Sequence, residues 1–125
     1  MYKILVAEDD RFLMKIYSDT LAREGFEVIP AANGIEVLNK IKLSPPDLIL
    51  LDLVMPIKDG FETLEELKLD AKTKSIPVVI LTNLGQDEDI KRGKELGAID
   101  YLVKSDLSIK EIIDKVKTYL IKAKR

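Results

Sequence analysis

Leu48-Ile49-Leu50-Leu51 is a run of four large aliphatic residues with no polar residue between them. A run that apolar reads as a strand buried on both faces, the kind found in parallel sheets covered by helices. The rest of the chain repeats the theme. Short apolar runs at Lys3 to Ala7, Glu27 to Ala31, Asp47 to Asp52, Pro77 to Thr82 and Ile99 to Val103 alternate with stretches of helical period, five times over. The first helix takes Phe12, Leu13, Ile16, Tyr17 and Leu21 as its apolar positions and stops at Glu24-Gly25. The second runs from Ile35 to Leu43, between Asn33-Gly34 and Ser44-Pro45-Pro46. The third spans Phe61 to Ala71 after Asp59-Gly60, and the fourth Asp87 to Leu96 before Gly97. The fifth spans Ser108 to Lys122, with Ile109, Ile112, Ile113, Val116 and Leu120 as its stripe. Strict alternation predicts an α/β fold: a doubly wound, five-stranded parallel sheet in the order 2-1-3-4-5, with helices on both faces. Pro30 places the second strand at an edge. At 125 residues the chain is expected to form one domain, residues 1–125.

In such a sheet, ligands bind beyond the carboxyl ends of the strands, where strands 1 and 3 diverge. The sequence delivers chemistry to that edge. Strand 1 ends in Glu8-Asp9-Asp10, strand 3 in Asp52, strand 4 in Thr82 and strand 5 in Lys104. Acids about 4 Å apart repel by about 4 kcal/mol per pair at an effective dielectric of 20. Glu8, Asp9 and Asp52 therefore need a cation among them; Lys104 brings one charge and a divalent ion would bring two. Asp9 or Asp10 is also expected to cap the first helix. Capping does not explain Asp52, which precedes Met55-Pro56 and no helix.

Composition narrows the chemistry. There is no cysteine and no histidine, so thiol catalysis, disulfides and imidazole bases are excluded. A bound metal should be hard and oxygen-loving, Mg²⁺ or Mn²⁺. Lys and Arg number 20 against 22 Asp and Glu, so no global charge draws the chain to nucleic acid or membrane. The basic end Lys122-Ala123-Lys124-Arg125 reads as a solvated helix terminus. Met1-Tyr2-Lys3 does not read as a signal peptide and no apolar stretch reaches membrane-spanning length, so the expected location is the cytoplasm.

Four segments together resemble the CheY-like receiver domains of two-component response regulators: Ile4 to Asp10, Pro46 to Pro56 with Asp59-Gly60, Pro77 to Thr82, and Gly97 to Lys104. The resemblance runs from end to end and implies a flavodoxin-like (βα)5 fold. It implies that Asp52 accepts a phosphoryl group from a histidine kinase or phosphotransfer protein, in a Mg²⁺-dependent reaction. Asp9 would ligate the ion directly, Glu8 through water, and Asp52 and the Met55 carbonyl would complete the set. Lys104 would pair with phosphoryl oxygens, and Thr82 would donate its hydroxyl to them. Thr82 and Tyr101 would form the switch, Tyr101 turning from solvent toward the core. The face of the fourth helix, fifth strand and fifth helix would carry the signal. Its reader would be a protein target or an output domain outside this chain; a homodimer on activation fits the same pattern, and no direct nucleic-acid or membrane contact is expected. Such a domain catalyses its own phosphorylation and dephosphorylation without being a conventional enzyme.

The chain also departs from the family. Ser105-Asp106 follow Lys104 where many receivers carry Pro, and either is expected to cap the fifth helix. Asn83 stands after Thr82 in place of a small residue. Val54 and Leu84 are apolar where polar groups orient the hydrolytic water, which predicts slow loss of the phosphoryl group. Three rivals are weaker. A haloacid-dehalogenase-type phosphatase wants an acid where Val54 stands. A receiver-fold interaction module that is never phosphorylated would not need all the site residues. A flavodoxin-like cofactor binder wants a Gly-rich phosphate loop after the first strand.

Overall fold

The computed structural model describes residues 1–123, and the basic end at Lys124 and Arg125 lies outside them. Five strands alternate with five helices: β1 (Lys3–Ala7), α1 (Arg11–Arg23), β2 (Glu27–Ala31), α2 (Gly34–Leu43), β3 (Leu48–Leu51), α3 (Gly60–Leu69), β4 (Val78–Thr82), α4 (Asp87–Glu95), β5 (Asp100–Val103) and α5 (Ile109–Ala123). The sheet is parallel throughout, in the order β2-β1-β3-β4-β5. The expected topology is therefore found. Pro30 lies on edge strand β2, opposite Val6, where its missing N–H leaves no ladder bond unmade on the open side.

All four residues of β3 are buried, and their alternation splits the interior in two. Ile49 and Leu51, with Leu5 and Ile80, join Val37, Ile41, Leu64 and Leu67 of α2 and α3. Leu48 and Leu50, with Ile4, Val6 and Val79, join Tyr17 and Leu21 of α1 and Ile112, Val116 and Leu120 of α5. Ile90 and Leu96 place α4 on the α2–α3 side. Among the described residues no helix is long and apolar enough to cross a membrane.

Some boundaries differ from the expectation. Phe12 is 72% exposed and lies off the packed stripe of α1; at 100° per residue, the face that carries Leu13, Tyr17 and Leu21 turns Phe12 away. Asp47 and Asp52 flank β3 and lie outside it. α3 ends at Leu69 because the Asp70 carboxylate accepts the Lys72 N–H at 2.9 Å, a local turn that competes with the helix. Ser105 and Asp106 sit with Lys104 in a 3₁₀ turn and do not cap α5. Ser108 does: its Oγ accepts the Glu111 N–H at 3.1 Å, and its own N–H donates to Glu111 at 3.0 Å.

The loop from β3 to α3 holds one strained residue. Ile57 has φ 70°, and the Lys58 N–H donates to the Pro56 carbonyl across it at 2.7 Å, a tight γ-turn. A β-branched side chain is disfavoured there, and Ile57 is 81% exposed, so little packing offsets the strain. Ile57→Asn is expected to raise stability by about 1 kcal/mol, or about 4 °C in Tm, by thermal denaturation followed by circular dichroism.

Candidate functional site

Glu8 follows β1, Asp52 follows β3 and Lys104 follows β5, so three strand ends converge at the carboxyl edge. Lys104 Nζ lies between the two acids. It donates to Glu8 Oε1 and, at 2.9 Å, to Asp52 Oδ2. All three side chains are at most 10% exposed. Each acid also accepts one backbone N–H: Asp10 N to Glu8 Oε2 at 3.1 Å, and Val54 N to Asp52 Oδ1 at 3.2 Å.

Asp9 and Asp10 divide their tasks. The Asp10 carboxylate caps α1, accepting the N–H groups of Phe12 and Leu13 at 2.9 and 3.0 Å. Asp9 is exposed and keeps a carboxylate oxygen within 4.8 Å of those of Glu8 and Asp52. Three carboxylates against one ammonium leave two negative charges, all on oxygen ligands. That set fits a hard divalent ion with several coordination places left for water. Met55 stands three residues beyond Asp52 with its side chain buried in the α2–α3 side of the core.

The electrostatics follow from burial. Burial pushes the Glu8 carboxyl above the usual carboxylate range, against the pull of Lys104 and the Asp10 N–H, and the charge of Asp52 adds to the rise. For Lys104, burial opposes the charge, yet its bonds to Glu8 and Asp52 hold the ammonium above the ordinary lysine value. The site is an open recess of about 280 Å³ lined by the four acids with Leu13, Val54, Asn83 and Lys104. Asn83 thus stands on the rim of the recess. Val54 is on the rim too, 56% exposed, whereas Leu84 is turned into the α2–α3 side of the core.

Gly60 was legible only as part of a motif; the structure gives its role. A Cβ there would stand 2.2 Å from the Asp52 carbonyl oxygen and 2.6 Å from Leu53 Cα, and the Gly60 N–H donates to Leu53 O at 3.0 Å. Only glycine lets the start of α3 press against the backbone that carries Asp52.

Thr82 is fully buried at the end of β4 and is not among the residues that line the recess. Its Oγ1 accepts the Leu84 N–H at 3.4 Å, and the Leu84 carbonyl accepts the Tyr101 hydroxyl at 2.6 Å. Thr82 and Tyr101 therefore share the β4–α4 loop. Tyr101, expected to move between solvent and core, stands in the core position at 8% exposure.

With this geometry established, comparison with known proteins decides the family. Residues 4–117 match the response regulator receiver domain. The chain belongs to that family. As a receiver it resembles the phosphate regulon transcriptional regulatory protein PhoB of Escherichia coli (strain K12), 36% identical over 94% of this chain and 51% of PhoB. It also resembles the Mn²⁺-bound form of response regulator Rcp1, with 31% identity and a TM-score of 0.82 over 94% of this chain and 91% of that one. A third likeness is to the phosphorylated cyanobacterial phytochrome response regulator RcpA, with 33% identity and a TM-score of 0.82 over 94% and 90%. The receiver spans about half the length of relatives such as PhoB. Receivers bind Mg²⁺ at an acidic pocket, and in this chain Glu8, Asp9 and Asp52 form an acidic cluster.

Burial holds the Tyr101 hydroxyl proton tightly, with its pKa pushed up to about 12. The folded form keeps this proton longer than the unfolded form, whose tyrosine titrates near 10. The hydroxyl thus contributes stability that is full below pH 10 and is lost as pH rises through 12. In urea melts, Tyr101→Phe is expected to flatten the loss between pH 10 and 12 by on the order of 2 kcal/mol. An unchanged alkaline slope would contradict this assignment.

Proposed function

We propose that Asp52 accepts a phosphoryl group from a phosphohistidine of a partner kinase or phosphotransfer protein, with Mg²⁺ bound beside it. The observation that carries the reading is the Lys104 ammonium shared by two buried acids, with the ready carboxylate of Asp9 alongside. The chain contains no histidine, so the donor lies outside it.

A carboxylate oxygen of Asp52 attacks phosphorus while the P–N bond breaks. The bonding pair leaves with the imidazole nitrogen, and an acyl phosphate remains on Asp52. Little covalent help is required of the protein, so catalysis rests on positioning and charge. Glu8, Asp9, Asp52 and the Met55 carbonyl would hold the metal, which when bound neutralises phosphoryl oxygens. Lys104 turns from the acids to a phosphoryl oxygen, a charge-assisted bond already within its reach. Thr82 donates its hydroxyl to the same group. As Thr82 moves toward that group, the bond it accepts from the Leu84 N–H lengthens, and the shift passes to Tyr101 through the Leu84 carbonyl. The face of α4, β5 and α5 is then the readout surface.

Residues 1–125 act as one receiver domain in the cytoplasm. The reader is a protein target or an output domain beyond these residues, and two copies pair on the same face when activated. PhoB is by its name a transcriptional regulator of twice this length, so the absence of nucleic-acid contact is proposed for residues 1–125 alone.

Incubation with Mg²⁺ and acetyl phosphate is expected to add one phosphoryl group by intact mass. Asp52→Asn should abolish the adduct and Asp9→Asn should raise the Mg²⁺ concentration needed to form it; an adduct that persists in Asp52→Asn overturns the assignment. Loss of the group is expected to be slow, because the exposed Val54 offers no hydrogen bond to an attacking water. Val54→Asn supplies one. A single such bond is worth about 1.4 kcal/mol in the transition state, so phosphate release should quicken roughly tenfold. A release rate equal to that of the unaltered chain would refute the role given to Val54.

A further inference from the structure

Gly93 is the fully buried residue of α4, and its backbone has no unusual φ that would call for glycine. Glycine inside a helix is unfavourable, so its presence asks for a packing reason. The contacts supply one. A Cβ on Gly93 would stand 2.6 Å from Ile80 Cδ1, and 3.0 and 3.2 Å from Cδ2 and Cε2 of Tyr101. Carbon atoms pack at about 3.5–4.0 Å, so the aromatic ring occupies the space that a methyl group would take. The Ile80 methyl is a flexible end that can yield; the ring is held at its far side by the hydroxyl bond to Leu84 O.

We infer that Gly93 is the seat that holds Tyr101 inward, and that through the Tyr101 hydroxyl it fixes the β4–α4 loop against Thr82. This rests on the receiver reading and names a regulatory residue within it: the bare backbone at 93 sets the balance between the two positions of the switch tyrosine. A methyl at 93 drives the ring toward solvent, breaks the bond to Leu84 and frees the loop. By reciprocity, whatever favours the inward ring also favours occupation of the Asp52 site, and Gly93→Ala disfavours both.

The test uses the full chain. N-acetylimidazole acetylates accessible tyrosine hydroxyls, and peptide mass mapping with hydroxylamine reversal locates the label at Tyr101. If the outward ring is a minor state of about 10% or less, making it dominant speeds labelling about tenfold. Gly93→Ala should show that increase with an unchanged circular dichroism spectrum. Ile80→Val alone should label as slowly as the original chain. Ile80→Val combined with Gly93→Ala removes the closest collision and leaves the ring contact, so it should label fast, and it decides the matter if Gly93→Ala does not fold. Slow labelling in a folded Gly93 variant overturns the inference. A second arm titrates Mg²⁺ with beryllofluoride as a phosphoryl mimic. Weaker binding by Gly93→Ala, with protection of Tyr101 regained at saturation, supports the seat and its link to Asp52. Fast labelling with unchanged beryllofluoride affinity upholds the seat and overturns the switching role that the receiver reading assigns.

Discussion

One ammonium group holds three strand ends together. Lys104 reaches from the end of β5 to acids at the ends of β1 and β3, residues 96 and 52 positions away in sequence. Its partners are buried, so the bond is made in a poorly screened place. Taking away one partner of such a group typically costs about 3–5 kcal/mol, because the remaining charge is stranded. Here loss of Lys104 would strand two like charges at once. The arrangement therefore fixes the relative height of the strands at their carboxyl edge. It also leaves the site with two negative charges in excess once Asp9 is counted. A structural salt bridge would have been closed with a second cation from the chain. The open recess and the uncommitted Asp9 carboxylate are what distinguish a binding site from a staple.

Much of this was legible in the chain because the determinants are local or periodic. The apolar runs at Lys3 to Ala7 and Leu48 to Leu51 specify strands whatever their surroundings, and Asn33, Asp59 and Gly97 mark helix ends through short-range chemistry. Asp52 and Lys104 could be placed at one edge because parallel strands all point the same way. The errors share a different character. Phe12 looked like a core residue by type and spacing, but only the angle at which α1 lies on the sheet decides which side of the stripe is covered. Ser105 and Asp106 looked like caps, yet Lys104 must lean toward Glu8 and Asp52, and the chain tightens into a 3₁₀ turn before α5 begins at Ser108. Gly60 and Gly93 were opaque for a further reason. Their meaning lies in the atoms that would collide with a side chain they lack, and those atoms come from the segment just after β3, from β4 and from β5.

The same contrast separates the two ends of the site. The chemistry of Glu8, Asp9, Asp52 and Lys104 sits on elements whose apolar faces are wholly buried. The linkage from Thr82 through Leu84 to Tyr101 runs instead along a loop into α4. That helix starts with Asp87, Glu88 and Asp89, has no side-chain cap at Gln86, and fully buries only a glycine. Beyond the partly buried Ile90 and Leu96, it is steadied by Arg92, whose guanidinium stands 4.1 Å over the centre of the Phe61 ring. Few apolar contacts and an uncapped start describe a low-stability unit by ordinary criteria.

A signal of a few kcal/mol at Asp52 can move only what is held by a comparable amount. The sheet cannot respond, since β3 and β4 are buried along their whole length and β1 everywhere but at Lys3. Helices α1 and α5 cannot do so cheaply either, as both anchor several large side chains in one cluster and are tied by the ion pair of Lys117 with Glu24. α4 fully buries only a glycine, and two hydrogen bonds in series link Thr82 through Leu84 of its preceding loop to Tyr101. A net hydrogen bond is worth about 1 kcal/mol, and an aromatic ring shifted against a glycine changes packing by a similar amount. If Asp52 takes up a phosphoryl group as proposed, the energies of trigger and moving part match, and this matching, rather than any single contact, supports the face of α4, β5 and α5 as the readout surface.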